Sequence, residues 1–233
     1  FVQPLKASDP LPNLLHVGHN EARRLMGENP AEGPVARVMA WACTQCSEDL
    51  AVIHIRDWHD AGDAAQAEHL AHFGPHCLAD SEGACFAFAE GDPARPLAVI
   101  DSPGLSDFMG TRLAEVLSPL AAGPVRVGLV GVWTEAKITF LAYDLRTRYP
   151  RLEIAVCSAL TASSSRAGHF LALEQLRRIL GVKVFDSVGE FTRFLGGTAL
   201  DVPLPMSSHA DCPAVAVEGG DLEETDRKLV RYL

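Results

Sequence analysis

At 233 residues, with 48% apolar and 21% charged side chains, the chain is long enough to bury one full core and has the composition of a soluble globular domain. Its net charge of −10 argues against non-specific binding to nucleic acid or an anionic membrane, both of which attract a basic face. No apolar run approaches the roughly 18–20 residues needed to cross a bilayer.

In chain order, short apolar runs predict strands at 13–17, 51–56, 97–101, 125–132, 153–157 and 183–185. Longer amphipathic stretches predict helices at 34–46, 109–117, 134–148, 165–180 and 188–195. Most of the strand runs are continuously apolar, as in parallel strands covered on both faces. Within 165–180, Phe170, Leu173, Leu176 and Leu180 recur on one helical face. Strand and helix alternate, which predicts an α/β fold with a mainly parallel, doubly wound sheet and helices on both sides. Residues 1–195 form that domain. Residues 196–233 read as a loop or arm, with Asp221 as the N-cap of a short final helix; it is either a frayed tail or an arm that packs on another subunit. In such sheets ligands bind beyond the carboxyl ends of the strands, so those positions are the ones to read for chemistry.

Cysteines stand at 43, 46, 77, 85, 157 and 212. A domain of this size and class seldom needs disulfides, so they are expected to be reduced and the protein cytoplasmic. Cys43 and Cys46 form a CxxC inside a helical apolar stretch. A zinc or redox role would need a second pair or a strand–CxxC–helix setting, so both are expected to be buried small residues.

After the second predicted strand comes Arg56-Asp57-Trp58-His59. In an extended segment Asp57 and His59 project to the same side. A carboxylate and an imidazole together suit a divalent metal, and His76, in Phe73-Gly74-Pro75-His76-Cys77, supplies a third ligand. Asp57, His59 and His76 are the expected set, for zinc first and iron or manganese otherwise. His69 and His72 crowd the same interval and either could substitute as a ligand, but both are expected to be exposed, and no ligand role is expected of His16, His19, His54, His169 or His209.

These residues resemble a known family. Asp57-Trp58-His59, Gly74-Pro75-His76-Cys77 and Glu82-Gly83-Ala84 are similar to the nicotinamidase branch of the isochorismatase-like hydrolases. So are Ser106-Asp107-Phe108-Met109-Gly110-Thr111-Arg112-Leu113 and Val130-Gly131-Val132-Trp133-Thr134-Glu135-Ala136-Lys137. The resemblance runs from about residue 13 to 185. It implies a three-layer α-β-α sandwich, commonly as a homo-dimer or tetramer. It also implies hydrolysis of small amides by an Asp, a Lys and a Cys, the thiolate attacking the carbonyl.

The departures fall on that chemistry. The nucleophile position is Lys137, Gly18 stands where the Asp is expected, and the Lys position falls at Asp101 or Ser102. A carboxylate such as Asp101 is expected to face Lys137, as a pocket-filling salt bridge or as the partner of a lysine acting as nucleophile or base. Trp58, Phe73, Phe108 and Trp133 are expected to wall a cavity for a small planar molecule.

Three functional readings follow. The first is a pseudoenzyme that keeps the fold and the metal site and binds a small ligand or a partner. The second is a metal-dependent hydrolase of a small amide or related C–N bond, since a metal brings water's pKa toward ~7 and Glu135 or Asp101 supplies a base. The third is a structural subunit of a larger assembly, motivated by the C-terminal segment.

Overall fold

The computed structural model describes residue 11 and residues 14–86, 96–120 and 123–202. The helices are α1 (His19–Met26), α2 (Pro34–Thr44), α3 (Ala67–Phe73), α4 (Leu113–Leu120), α5 (Thr139–Arg148), α6 (Arg166–Arg178) and α7 (Val188–Phe194). The strands are β1 (Val52–Asp57), β2 (Pro96–Ser102), β3 (Arg126–Val132), β4 (Glu153–Ala162) and β5 (Lys183–Phe185). Every strand pair is parallel. β1 pairs with β2, and β3, β4 and β5 form a second sheet in that order.

Alternation along β4 sets the layers. Side chains of successive strand residues point to opposite faces. Ile154 and Val156 join a core with Ile100 of β2, Leu117 of α4, Leu145 of α5 and Leu176 of α6. Ala155 and Cys157 join a second core with Leu25 of α1, Val38 of α2 and Phe191 of α7. Both faces are therefore covered, which is the expected α-β-α arrangement. Burying a side chain such as Ile154 or Leu176 contributes roughly 1.5–3 kcal/mol. The same burial pushes the Cys157 thiol up to about 11 and leaves it inert.

Several elements differ from the sequence expectation. No strand forms over 14–17: Leu14 and Leu15 make a turn, and His16 and Val17 are irregular. Polar groups there go to side chains and not to a ladder. The Gly18 N–H donates to His16 Nδ1 at 3.0 Å, and Leu15 O accepts from Trp133 Nε1 at 3.0 Å. Only Val17 of the apolar run is fully buried, and Leu14 is 70% exposed. β4 runs past Cys157 because it bulges against β3: the step from Leu129 to Gly131 is matched by the step from Val156 to Thr161. Arg24 of α1 holds the bulge, donating to the carbonyls of Ser158 at 3.3 Å, Ala159 at 2.9 Å and Thr161 at 2.6 Å.

α6 begins at Ser165, whose hydroxyl caps it by accepting the Gly168 N–H at 3.1 Å. Its inner face is His169, Ala172, Leu173 and Leu176; Phe170, expected inside, is 48% exposed. Of the CxxC pair, Cys43 is half-buried and Cys46 lies exposed beyond the end of α2. The final helix expected from Asp221, together with Cys212 and His209, lies outside the described residues. No helix among the described residues is long and apolar enough to cross a membrane.

Candidate metal centre and its lysine

The parallel strands deliver Asp57, Ser102 and the segment after Val132 to one end of the molecule, beyond their carboxyl ends. Thr134–Ile138 form a single π-helical turn leading into α5, and this turn aims Lys137 back across the strand ends. Its ammonium lies 3.1 Å from Asp57 Oδ1, 2.7 Å from Asp107 Oδ1 and 2.9 Å from Ser102 Oγ, and it also donates to Gly104 O. Ser102, fully buried, accepts from Lys137 and passes its own proton to Asp107 Oδ1 at 2.7 Å. Four oxygens thus share the three protons of one ammonium. Lys137 joins the end of the β1–β2 sheet to the end of the β3–β4–β5 sheet.

Asp101, the carboxylate expected opposite Lys137, faces elsewhere. It is the register partner of Arg56, and Arg56 Nε donates to its Oδ1 at 2.7 Å with the carboxylate 45% exposed. Alternation explains the difference, because neighbouring Ser102 projects to the opposite side of β2 and reaches Lys137 instead. The sequence reading missed Asp107. Its position within the Ser106–Leu113 motif, a few residues after the end of β2, was the available signal.

β1 continues beyond Asp57 as an extended segment. Trp58 N–H donates to Ser102 O at 3.1 Å, and His59 bridges Leu78 in parallel through His59 N–H to Cys77 O at 2.9 Å and Ala79 N–H to His59 O at 2.8 Å. This pairing sets His76 beside His59, with ring centroids 4.6 Å apart. α3 adds His69, 5.1 Å from His59 and 5.2 Å from His76. One nitrogen from each of His59, His69 and His76 falls within 4.8 Å of the others, and Asp57 is not in that group. His59 and His76 thus meet as expected. Their third partner is His69, half-buried where an exposed side chain was expected. Gln66, His69 and Phe73 at i, i+3 and i+7 on one helical face were the sequence signal for it.

The rings are oriented by hydrogen bonds to their outer nitrogens. His59 Nδ1 meets Gln66 Oε1 at 2.9 Å, and His76 Nδ1 meets Gly74 O at 2.7 Å. Both acceptors require an Nδ1–H, so each Nε2 carries the lone pair that a metal takes. His59 Nε2 is buried with no hydrogen-bond partner among the described residues, which is the chemistry of a waiting ligand. His76 Nε2 lies 3.3 Å from His69 Nε2. The residues therefore fit a divalent ion. Asp57 raises the His59 pKa, more than offsetting burial, and its Oδ2 is 3.8 Å from His59 Nε2. Burial lowers His69 and His76. Burial pushes Asp57 up, but His59 and the Lys137 charge together bring it below the usual carboxylate range.

The other expected residues are dispersed. Glu135 Oε1 accepts from Ser164 N–H at 3.1 Å and from its hydroxyl at 2.9 Å, near the start of α6. Gly18 precedes α1 with φ 88°, a conformation glycine adopts without strain. Trp58 lies half-buried under the Arg56 guanidinium, 4.0 Å from its centroid. Phe73 packs on His69 and His72. Phe108 belongs to the core on the α5 side, against Tyr149, while Trp133 packs against the core on the α1 side. Phe108 and Trp133 thus pack against different apolar clusters.

Solved structures share this architecture. The nicotinamidase/pyrazinamidase PncA from Bacillus subtilis aligns with TM-score 0.56 at 21% identity, over 73% of this chain and 88% of that one. The pyrazinamidase/nicotinamidase from Streptococcus mutans gives 0.54 at 27% identity, over 67% and 90%. The pyrazinamidase of Pyrococcus horikoshii, in complex with zinc, gives 0.52 at 22% identity, over 64% and 82%. No protein-family model and no curated protein matches the chain. The fold is isochorismatase-like, as the motifs implied.

Proposed function

We propose that this is a metal-binding protein of isochorismatase-like fold that has given up thiolate amide hydrolysis, a pseudoenzyme whose surviving site is His59, His69 and His76. The observation that carries the reading is the state of Lys137. It occupies the position expected of the nucleophile, and its donors are engaged by Asp57, Asp107, Ser102 and Gly104. The arrangement is a cluster of one ammonium and two carboxylates, with a lysine where the thiol is expected. Zinc is the ion proposed: imidazole suits it, and the P. horikoshii neighbour is described in complex with it. When bound, such an ion supplies a Lewis acid toward a small ligand, and the histidines with Gln66 and Gly74 hold and orient it.

One observation favours a second reading, a metal-dependent hydrolase of a small amide or related C–N bond. Three histidine ligands leave an open position on a four-coordinate ion, the pattern of catalytic and not structural zinc.

The test is elemental metal analysis of protein purified without added metal or chelator, beside His59→Ala and His76→Ala, followed by an amide-hydrolysis screen. Near-stoichiometric metal lost in both variants, with no turnover, is the expected result. Turnover that disappears with His59→Ala would move the assignment to the second reading. Metal-free wild-type protein would remove both.

A further inference from the structure

We infer that Gln66, oriented by Asp63, decides which nitrogen His59 offers to the metal site: together they keep the imidazole proton on Nδ1 and leave Nε2 bare for an ion. This rests on the metal-binding reading above and adds Gln66 and Asp63 to it as positioning residues.

The neutral His59 ring carries one proton and has an acceptor on either side. Asp57 Oδ2 lies 3.8 Å from Nε2, and Gln66 Oε1 lies 2.9 Å from Nδ1. Only the second is a hydrogen-bond distance, and His59 Nε2 has no hydrogen-bond partner among the described residues. A carboxylate is nonetheless the stronger acceptor, and Lys137 engages the other oxygen of Asp57, Oδ1. Which ring nitrogen keeps the proton is set by the bond the other makes. Without the amide, the proton belongs on Nε2, facing Asp57, where it blocks a metal.

The amide itself is held one way round. Oε1 receives a second N–H, from Asp60 at 3.3 Å, and Nε2 donates to Asp63 Oδ2 at 2.9 Å. Turning the amide over sets N–H against N–H at Asp60 and oxygen against carboxylate at Asp63. It also makes the amide a donor to His59 Nδ1, which forces the ring proton to Nε2. Asp63 is fixed in turn by its own tight turn, its Oδ1 accepting the Ala65 N–H at 2.9 Å. Residues 59–66 thus carry both a ligand and the device that sets its tautomer.

The experiment compares the full chain as wild type, Gln66→Leu, Asp63→Ala and Asp63→Ala combined with Gln66→Glu. Zinc affinity is read by competition with a chromophoric chelator. Ring tautomers of the metal-free proteins are read from proton–nitrogen NMR spectra at a pH where the imidazoles are neutral. Wild type should carry the His59 proton on Nδ1. Gln66→Leu should move it to Nε2 and weaken zinc by about tenfold or more, the usual cost of losing a partner behind a ligand. Asp63→Ala lets the amide turn and should weaken zinc by about threefold or more, the worth of one hydrogen bond. Adding Gln66→Glu, which accepts through either oxygen, should restore the Nδ1 proton and at least the wild-type affinity.

A Gln66→Leu protein that keeps the Nδ1 proton or the wild-type affinity overturns the inference and leaves the metal-binding reading intact. So does an Asp63→Ala protein equal to wild type, or a double variant no better than Asp63→Ala. Should Gln66→Leu fail to fold, the Asp63→Ala protein and the double variant decide alone. A wild type that binds no zinc overturns the metal-binding reading itself, and the tautomer spectra tell the two failures apart.

Discussion

His169 Nδ1 lies 2.9 Å from Thr134 Oγ1, and both side chains are buried, so the turn that aims Lys137 is fastened to α6 from beneath. Burial lowers the His169 pKa from 6.5 to about 4, with the charges of Arg24 and Arg166 adding to it and Glu21 opposing. The native state therefore refuses a proton that the unfolded chain accepts. The associated stability is complete above about pH 6.5, is lost as pH falls toward 4, and amounts to about 3 kcal/mol over the window. Urea unfolding between pH 7.5 and 4.5 should show this decline, and His169→Gln should flatten it. Equal slopes in the two proteins would assign the acid sensitivity elsewhere.

Lys137 is shared by two carboxylates, of which the more buried, Asp107, is only 3% exposed. Lys137→Met should cost the metal-free protein on the order of 3–5 kcal/mol, because the carboxylates lose their shared partner. Combining it with Asp57→Asn should recover part of that loss, in the same chemical denaturation measurement. A neutral Lys137→Met would mean the cluster contributes nothing to stability.

α1 and α2 meet at Gly33. A Cβ there would come within 2.1 Å of the Met26 carbonyl oxygen, a backbone atom that cannot rotate away. Gly33→Ala should destabilise by about 2 kcal/mol or more. Gly104→Ala meets nothing within 4 Å and should stay within about 0.5 kcal/mol of wild type. A well-tolerated Gly33→Ala would show that the two helices separate easily.

Zinc at a free concentration of about 100 times its Kd should stabilise the protein by about 2.7 kcal/mol, or roughly 5–10 °C in melting temperature for a chain of this size. Differential scanning fluorimetry with and without chelator reads this directly. The shift should vanish in His59→Ala, and a shift retained in that variant would place the ion elsewhere.

The parts of the fold written as continuous apolar runs were legible: β1, β2, β3 and β5 match their expected spans to within a residue or two. α1 was not, because HNEARRLM is mostly polar: only Ala22, Leu25 and Met26 mark its buried apolar face, and Arg24 fixes it by reaching the β4 carbonyls. No strand forms over 14–17 for a related reason, since Leu15 O accepts from the distant Trp133 indole and not from a ladder. At the site, the identities of His59 and His76 were readable from their motifs. The partnership of Lys137 with Asp57 and Asp107 was not, because it joins the end of β1, the loop after β2 and the turn after β3, which only the tertiary fold brings together.

α3 contributes His69 but has no fully buried residue of its own. It lacks the fully buried apolar face by which the other helices are moored, and Gln66 and His69 tie it inward to the neighbouring imidazoles. An ion at those rings would act as a rivet through the helix. Loading should slow amide deuterium uptake across residues 67–73 while leaving β4, already sealed on both faces, unchanged. The centre would then govern not only what binds there but whether one of its own walls stands still.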